Sequence, residues 1–255
     1  MVHKRVLVRR PGPRLSEGLV THLARTPVDL DLARRQWHGY VDALGAEGWE
    51  AIEVEPADDC PDAVFVEDTV VVYGDVAVIC RPGADERRPE TAGTEATLAS
   101  LGYRIARIEP PGTLDGGDVL EHAGDVWVGL SGRTNAAGIE QIAGLLGPLG
   151  ARVVGVPVSR VLHLKSAVSA LPDGTVVGFE PLVDEPTAWP SLLRVPEEAG
   201  AHVVVLDGST VLMSTSAPAT RALFESRGLR VVAVDIAEYE KREGCVTCLS
   251  VRLRG

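Results

Sequence analysis

The chain has 255 residues, 45% hydrophobic and 24% charged, an ordinary globular composition long enough to bury a core without disulfides or metals. Its formal net charge of -11, from 25 basic and 36 acidic residues, argues against a nucleic-acid reader, which carries a basic face, and is compatible with a cationic small-molecule ligand. The opening "MVHKRVLVRRPG" has too short an apolar run for a secretion signal and no apolar run reaches membrane-spanning length, so the expectation is a cytoplasmic protein that engages no membrane.

A strand over "KRVLVRR" is followed by a helix over roughly Leu30–Leu44, which feeds a second strand in "WEAIEVEP". Next, Thr69–Arg81 reads as a β-hairpin, because β-branched residues flank a Gly74-Asp75 turn. A helix in "RPETAGTEATLASLG" and a strand in "YRIARIEP" complete that unit. The order then repeats. Asp118–Ser131 pivots on Gly124-Asp125, a helix opens on Thr134 or Asn135 as its cap, and "ARVVGVPV" is the strand. Ala167–Phe179 pivots on Asp173-Gly174, and this copy has the weakest helix signal. His202–Ser214 pivots on Asp207-Gly208. It leads into the helix "SAPATRALFESRG", with Ser216 as cap, Pro218 in the first turn and Gly228 after the last, and then "LRVVAVDI". The C-terminal "CLSVRLR" is expected to pair with the N-terminal strand. About five units of hairpin, helix and strand closing head to tail make a propeller of α/β blades. The competing arrangement is one open mixed sheet. Either way the chain 1–255 reads as a single domain.

Polar residues gather where these hairpins begin. "CPDAVFVEDTVVV" holds Asp62, Glu67 and Asp68; "GTLDGGDVL" holds Asp115 and Asp118; "VLHLKSAVSAL" holds His163; "GCVTCLSVRL" holds Cys245 and Cys248. In a pseudo-symmetric ring, equivalent positions converge near the axis. A thiol, an imidazole and several carboxylates in one cleft would suit nucleophilic attack on a bound cationic group. Taken singly, each has an ordinary reading. Asp115-Gly116-Gly117-Asp118 reads equally as a turn, Glu67-Asp68 as a solvated loop end, and His163 as a hydrogen-bonded core residue. His3, His22, His38, His122 and His202 have no polar motif around them, while Cys60 and Cys80 read as a loop thiol and a buried strand thiol. For Cys245 and Cys248, a zinc site would need two more ligands, and no second C-x-x-C or His pair exists in the sequence. A thioredoxin-like dithiol belongs at a strand-to-helix turn, whereas this pair leads into a strand.

Six stretches, in order, carry a resemblance: "PDAVFVEDTVVV", "RPGADERRPE", "PGTLDGGDVL", "GLSGRTNAAG", "VLHLKSAVSAL" and "TCLSVRL". Together they resemble the dimethylarginine dimethylaminohydrolases of the pentein, or guanidino-group-modifying, superfamily. The resemblance implies a five-bladed α/β propeller of ββαβ repeats. It also implies hydrolysis of Nω-methylated arginines to citrulline, with no metal or other cofactor. Carried over by motif, Cys248 is the nucleophile, His163 the general acid and base, and Asp115 the carboxylate beside it. Asp62, Glu67 and Asp68 match the acidic segment around the guanidinium. Arg87 and Arg133 match the arginines that hold the substrate α-carboxylate, and the main chains of Leu19 and Arg242 match receivers of its α-amino group. The implied partner is a small cationic amino acid, with no nucleic acid or membrane and with a homodimer among the possible assemblies.

Two departures stand out. Asp115 is one methylene shorter than the Glu of some relatives, and Cys245 matches no catalytic position. An arginine deiminase is the nearest alternative function, but those enzymes are longer and usually carry an acidic residue where this chain has Lys165. A non-catalytic zinc protein is the alternative from another class. Ser16–Asp31, between first strand and first helix, is the expected lid on length and position.

Overall fold

The computed structural model describes residues 4–254 apart from Ala123 and Pro190. His3 lies outside the described residues. In chain order, β1 (Lys4–Val8), α1 (Leu30–Ala46) and β2 (Glu50–Glu53) begin the first unit. The second is β3 (Val70–Tyr73), β4 (Val76–Ile79), α2 (Thr91–Ser100) and β5 (Arg104–Arg107). The third is β6 (Val119–His122), β7 (Asp125–Leu130), α3 (Ala136–Leu146) and β8 (Arg152–Pro157). A one-turn α4 (Leu164–Ala167) precedes the fourth, β9 (Val168–Ala170), β10 (Val176–Gly178) and β11 (Leu193–Arg194). The fifth is β12 (Val204–Val205), β13 (Thr210–Ser214), α5 (Pro218–Ser226) and β14 (Arg230–Val234); the short α6 (Ala237–Glu240) and β15 (Val251–Arg254) end the chain.

These strands form five three-stranded sheets, each an antiparallel hairpin with one further strand parallel to its middle strand. Each is one blade. The hairpin turns fall on the predicted Gly-Asp pairs; Gly74 and Gly174 have φ of +58° and +82°, which a side chain would resist. β15 pairs antiparallel with β1, Leu7 opposite Val251, so the two ends of the chain share the first blade. That pairing realises the expected closure and excludes the open sheet.

The apolar core follows the ring. There are five buried clusters among the described residues, each spanning two neighbouring blades. One packs Val71 and Val78 against Val126 and Ile142; another joins Val6 and Tyr40 to Leu212 and Val234, so the fifth blade seals onto the first. Tyr40 and Tyr239 are fully buried, and their hydroxyls donate to the Val246 and Ala33 carbonyls at 2.8 and 2.6 Å. Burying rings of this size contributes on the order of 2 kcal/mol each and fixes the C-terminal segment against α1.

Local signals held in most places and failed in two. Asp29 and Asn135 cap α1 and α3, accepting from Leu32 N and Gly138 N at 2.9 and 2.8 Å. Ser216, however, does not cap α5. Its hydroxyl donates to Glu240, and the first N–H groups of α5, from Ala219 and Thr220, are taken by the Glu197 carboxylate at 3.0 and 2.7 Å. In the fourth blade the proline-rich "EPLVDEPTA" supports only the short 3-10 turns Glu180–Leu182 and Pro186–Ala188 in place of a helix. None of the helices among the described residues is long and apolar enough to cross a membrane.

Candidate active site

The segments that enter the hairpins meet at one end of the ring. Asp68 lies in the 3-10 turn Val66–Thr69 before β3, Asp118 in the turn Gly116–Asp118 before β6, His163 at the N-cap of α4 before β9, and Cys248 in the turn before β15. A small cavity of about 10 Å³ brings together eight of the ten residues expected from sequence: Leu19, Asp62, Asp68, Arg87, Arg133, His163, Arg242 and Cys248. Asp115 stands behind His163, and Glu67 faces elsewhere.

His163 is the best-fixed member. Its Nε2 lies 3.0 Å from Asp115 Oδ2, and its Nδ1 lies 3.7 Å from Asp68 Oδ1. Burial alone would lower the imidazole pKa, but the Asp68 charge, the Asp115 hydrogen bond and the Asp118 charge outweigh it and raise the value to about 9. The ring is therefore an imidazolium at neutral pH. The shorter acid at position 115 still reaches it. Asp115 Oδ1 also accepts from Gly83 N at 2.9 Å, and Asp115 N donates to the Thr134 hydroxyl at 3.1 Å, so the carboxylate cannot swing. The glycine pair that reads as a turn has a second reason: a Cβ on Gly117 would stand 2.6 Å from both His163 Nδ1 and Asp68 Oδ1.

Asp68 is saturated. It accepts from Arg87 Nη1 at 2.6 Å and from Gly117 N at 2.9 Å. Burial opposes its ionisation, but His163 and Arg87 hold it at about 2. Arg87 differs from expectation. It is buried, with its Nε and Nη2 on both Glu90 oxygens, Nη1 on Asp68, and Nη2 also on the Asp62 and Phe65 carbonyls. Its charge is matched and its donors are committed, so it anchors Asp68 and does not offer a free fork to a carboxylate. Arg133 does: its Nη1 is buried in the cavity wall with no hydrogen-bond partner.

Glu67 also departs from expectation. Adjacent residues in a 3-10 turn point about 120° apart, so Glu67 turns away from Asp68 into a second cavity of about 680 Å³. That cavity is the axial channel, walled by residues of the first hairpin strands β3, β6, β9 and β12 and by β15. Glu67 accepts there from Lys165 Nζ at 2.5 Å and from the Thr247 hydroxyl at 2.9 Å.

Cys248 and Cys245 form a close pair of thiols, Sγ to Sγ 3.3 Å, both buried. Cys245 N also donates to Cys248 Sγ at 3.5 Å, and Cys245 Sγ lies 3.2 Å from Thr247 Oγ1. The shared hydrogen bond, then burial, then the Cys245, Glu67 and Asp68 charges hold Cys248 well above an ordinary thiol; the same bond lowers Cys245. The neighbours of this pair are each other and a hydroxyl, which is not a zinc ligand set. Asp68, Asp115 and His163 each offer a ligand atom within 4.8 Å of the others, yet these groups are already held by one another, Arg87, Gly83 and Gly117.

The segment 16–31 lies along the cavity. Leu19 N donates to Asp62 Oδ2 at 2.9 Å, Arg242 donates to the Ser16 and Thr26 carbonyls at 2.9 Å each, and Asp29 N donates to Glu238. Glu243, at φ +58°, accepts from the successive N–H groups of Thr21, His22 and Leu23. Asp118 was noticed in the sequence but given no role. It accepts from the Ser131 and Thr134 hydroxyls at 2.6 Å each and from Leu164 N at 2.9 Å, so one carboxylate orients both the loop of Arg133 and the backbone of His163.

No family model matches the chain. A dimethylarginine dimethylaminohydrolase of Streptomyces coelicolor is 62% identical over 254 residues, covering 100% of this chain and 98% of that one. The solved structure of the Pseudomonas aeruginosa dimethylarginine dimethylaminohydrolase, a cysteine-to-serine variant complexed with citrulline, superposes with a TM-score of 0.91 at 32% identity, over 99% of this chain and all of that one. The N-terminal domain of ArgZ, an arginine dihydrolase from cyanobacteria, superposes at 0.87 over 98% of each chain, but at 19% identity it shares the fold alone. The five-bladed ring, its converging hairpin entries and these relatives agree: the chain belongs to the dimethylarginine dimethylaminohydrolase family.

Proposed function

We propose that this chain hydrolyses Nω,Nω-dimethyl-L-arginine, and Nω-monomethyl-L-arginine, to L-citrulline and dimethylamine or methylamine through a covalent intermediate on Cys248. The observation that carries the residue roles is an imidazole, His163, fixed between Asp115 and Asp68 in the same cavity as a buried thiol.

A guanidinium carbon is a poor electrophile because resonance spreads its charge. Asp68 and Asp62 are the carboxylates placed to fix its plane and balance its charge. The cation in turn favours the Cys248 thiolate, so the resting thiol need not be acidic. The thiolate attacks the carbon, and the C–N π electrons move onto nitrogen. His163 then protonates the amine that leaves, which is too basic to depart as an anion. Asp115 holds the imidazolium for that transfer. Collapse leaves a thiouronium. The now neutral His163 takes a proton from water, the hydroxide adds to the same carbon, and Cys248 departs with the C–S electron pair; the remaining hydroxyl proton passes to solvent as the C=O of citrulline forms. Arg133, with its unpartnered nitrogen, is the receiver for the α-carboxylate, and the Leu19 and Arg242 carbonyls receive the α-amino group. The 10 Å³ cavity admits about one water, so the segment 16–31 must lift to admit substrate and serves as the lid.

Lys165 bears on the deiminase alternative. It pairs with Glu67, and an acidic residue in its place would set two carboxylates together. The test incubates the protein separately with dimethylarginine, monomethylarginine and arginine and measures citrulline. Methylarginines should give it, Cys248→Ser should not, and a quenched reaction should show an adduct on the Cys248 peptide. Citrulline from arginine alone would overturn the substrate assignment.

A further inference from the structure

Before Cys248 attacks, its thiol must lose a proton, and each titratable group of the cavity has another task, Asp62 holding Leu19 N and facing the guanidinium. His163 already carries the proton that the leaving amine needs. Asp115 holds the imidazolium, and Asp68 stands between it, Arg87 and the guanidinium. With substrate in place, the mouth is covered. The contacts of Cys248 Sγ lead the other way, to Cys245 Sγ at 3.3 Å.

From Cys245 a line of contacts leaves the cavity: Cys245 Sγ to Thr247 Oγ1 at 3.2 Å, then Thr247 Oγ1 to Glu67 Oε2 at 2.9 Å. Counting protons sets its direction. An ionised Glu67 only accepts, so the single hydroxyl proton of Thr247 is donated to it. Thr247 Oγ1 must then accept, so Cys245 donates to it. Cys245 Sγ is left as the acceptor for Cys248. Every donor points from the nucleophile toward Glu67, and Glu67 and Thr247 line the axial channel while Cys248 lines the substrate cavity.

We propose that Cys245, Thr247 and Glu67 form a proton path that carries the Cys248 proton from the covered substrate cavity to the axial channel. The proposal rests on Cys248 being the nucleophile. In the forward step the Cys248 proton moves to Cys245 Sγ as the Cys245 proton moves to Thr247 Oγ1 and the Thr247 proton to the Glu67 carboxylate. The electron pair left on Cys248 Sγ forms the bond to the guanidinium carbon. Glu67, now a carboxylic acid, passes its proton to water in the channel. When Cys248 later departs as a thiolate, the same path returns a proton to it. The charged and titratable groups facing the path are Lys165 and Asp68 beside Glu67, His163 across the cavity from Cys248, His202 toward Cys245, and the buried Tyr40 phenol. Burial raises the proton affinity of Glu67 above that of a solvated carboxylate, and the Lys165 ion pair at 2.5 Å opposes that rise.

The experiment measures pH–rate profiles of citrulline formation for wild type, Cys245→Ala, Cys245→Ser, Thr247→Val and Thr247→Ser. Alanine at 245 and valine at 247 interrupt the path; serine at either position keeps a hydroxyl in it. The interrupted variants should lose kcat by roughly tenfold to a hundredfold near neutral pH, as for a lost proton-transfer group. Their deficit should shrink as pH rises and hydroxide takes the proton directly. Both serine variants should stay within about threefold of wild type, since they retain the proton-transfer group. Unchanged rates in Cys245→Ala and Thr247→Val would overturn the path, and so would serine variants as impaired as these, or a deficit independent of pH. If one interrupted variant does not fold, the other decides. A wild type that forms no citrulline from any methylarginine would instead remove the reading on which the path rests.

Discussion

Gly117→Ala puts a methyl group where the His163 and Asp68 side chains already meet. The new Cβ would stand 2.6 Å from His163 Nδ1, 2.8 Å from His163 Cγ and 2.6 Å from Asp68 Oδ1, whereas ordinary contact begins near 3.4 Å. Neither neighbour is the free end of a flexible chain. Asp68 is tied to Arg87 at 2.6 Å and His163 to Asp115 at 3.0 Å. Relief therefore requires the ring, the carboxylate or the Gly116–Asp118 turn to move by about 0.8 Å, the difference between those distances. A displacement approaching 1 Å at a reacting group costs on the order of a hundredfold in rate, and overpacking a filled site costs about 1–3 kcal/mol of stability. The expected result is kcat for citrulline formation down by about two orders of magnitude, with a lowered melting temperature. Gly39→Ala is the control: it lies within α1 with nothing inside 4 Å of the new Cβ, and alanine there should stabilise by up to about 1 kcal/mol with no change in rate. A Gly117→Ala enzyme with wild-type kcat and melting temperature would refute the packing argument and the placement of His163 with it.

Arg133→Ala should raise KM more than it lowers kcat, because its unpartnered Nη1 is proposed to serve binding remote from the reacting carbon; a loss confined to kcat would contradict that role. Glu197→Ala should destabilise the protein by about 1 kcal/mol in chemical denaturation, as for a lost helix cap, with kinetics unaltered; equal stability would show that its two bonds to α5 carry nothing. His163, raised to about 9, contributes stability that is fully present below its unfolded value near 6.5 and is lost as pH climbs through 9. Urea unfolding should thus weaken over that window, and His163→Asn should flatten the slope; an unchanged slope would place the titrating group elsewhere. Glu243→Ala removes the acceptor of the Thr21, His22 and Leu23 N–H groups and should make the segment 16–31 more readily cleaved by protease, whereas equal protection would remove Glu243 as its anchor.

The blades were legible because each is local. A Gly-Asp pair between β-branched runs specifies a hairpin within about a dozen residues, and α1 and α3 carry their caps next to them. What was not local was not legible. Ser216 sits in the usual capping position, yet the carboxylate that takes the α5 N–H groups comes from Glu197, on the far side of the β12–β13 hairpin. The pairing of β1 with β15 was inferred from alternation at both ends of the chain, but only the five inter-blade clusters make closure the lower-energy arrangement, since each apolar face needs a neighbour on both sides.

The site divides in the same way. Residue types and order were readable from six motifs, because the residues proposed to act sit at the entries of the strand pairs. Which way a side chain turns from that entry was not readable. Glu67 and Asp68 look like one acidic pair in sequence, but a single 3-10 turn sends one to the substrate cavity and the other to the axial channel. Arg87 and Arg133 look equivalent, but four acidic or carbonyl partners fall around Arg87 on folding, and Arg133 Nη1 meets none. A free charge and a spent charge have the same letter. Only the partners distinguish them, and those partners come from turns 19 or more residues away as well as from the same turn. The motif therefore identifies the reaction, while the division of labour among its charges is decided by how the entries pack around one axis.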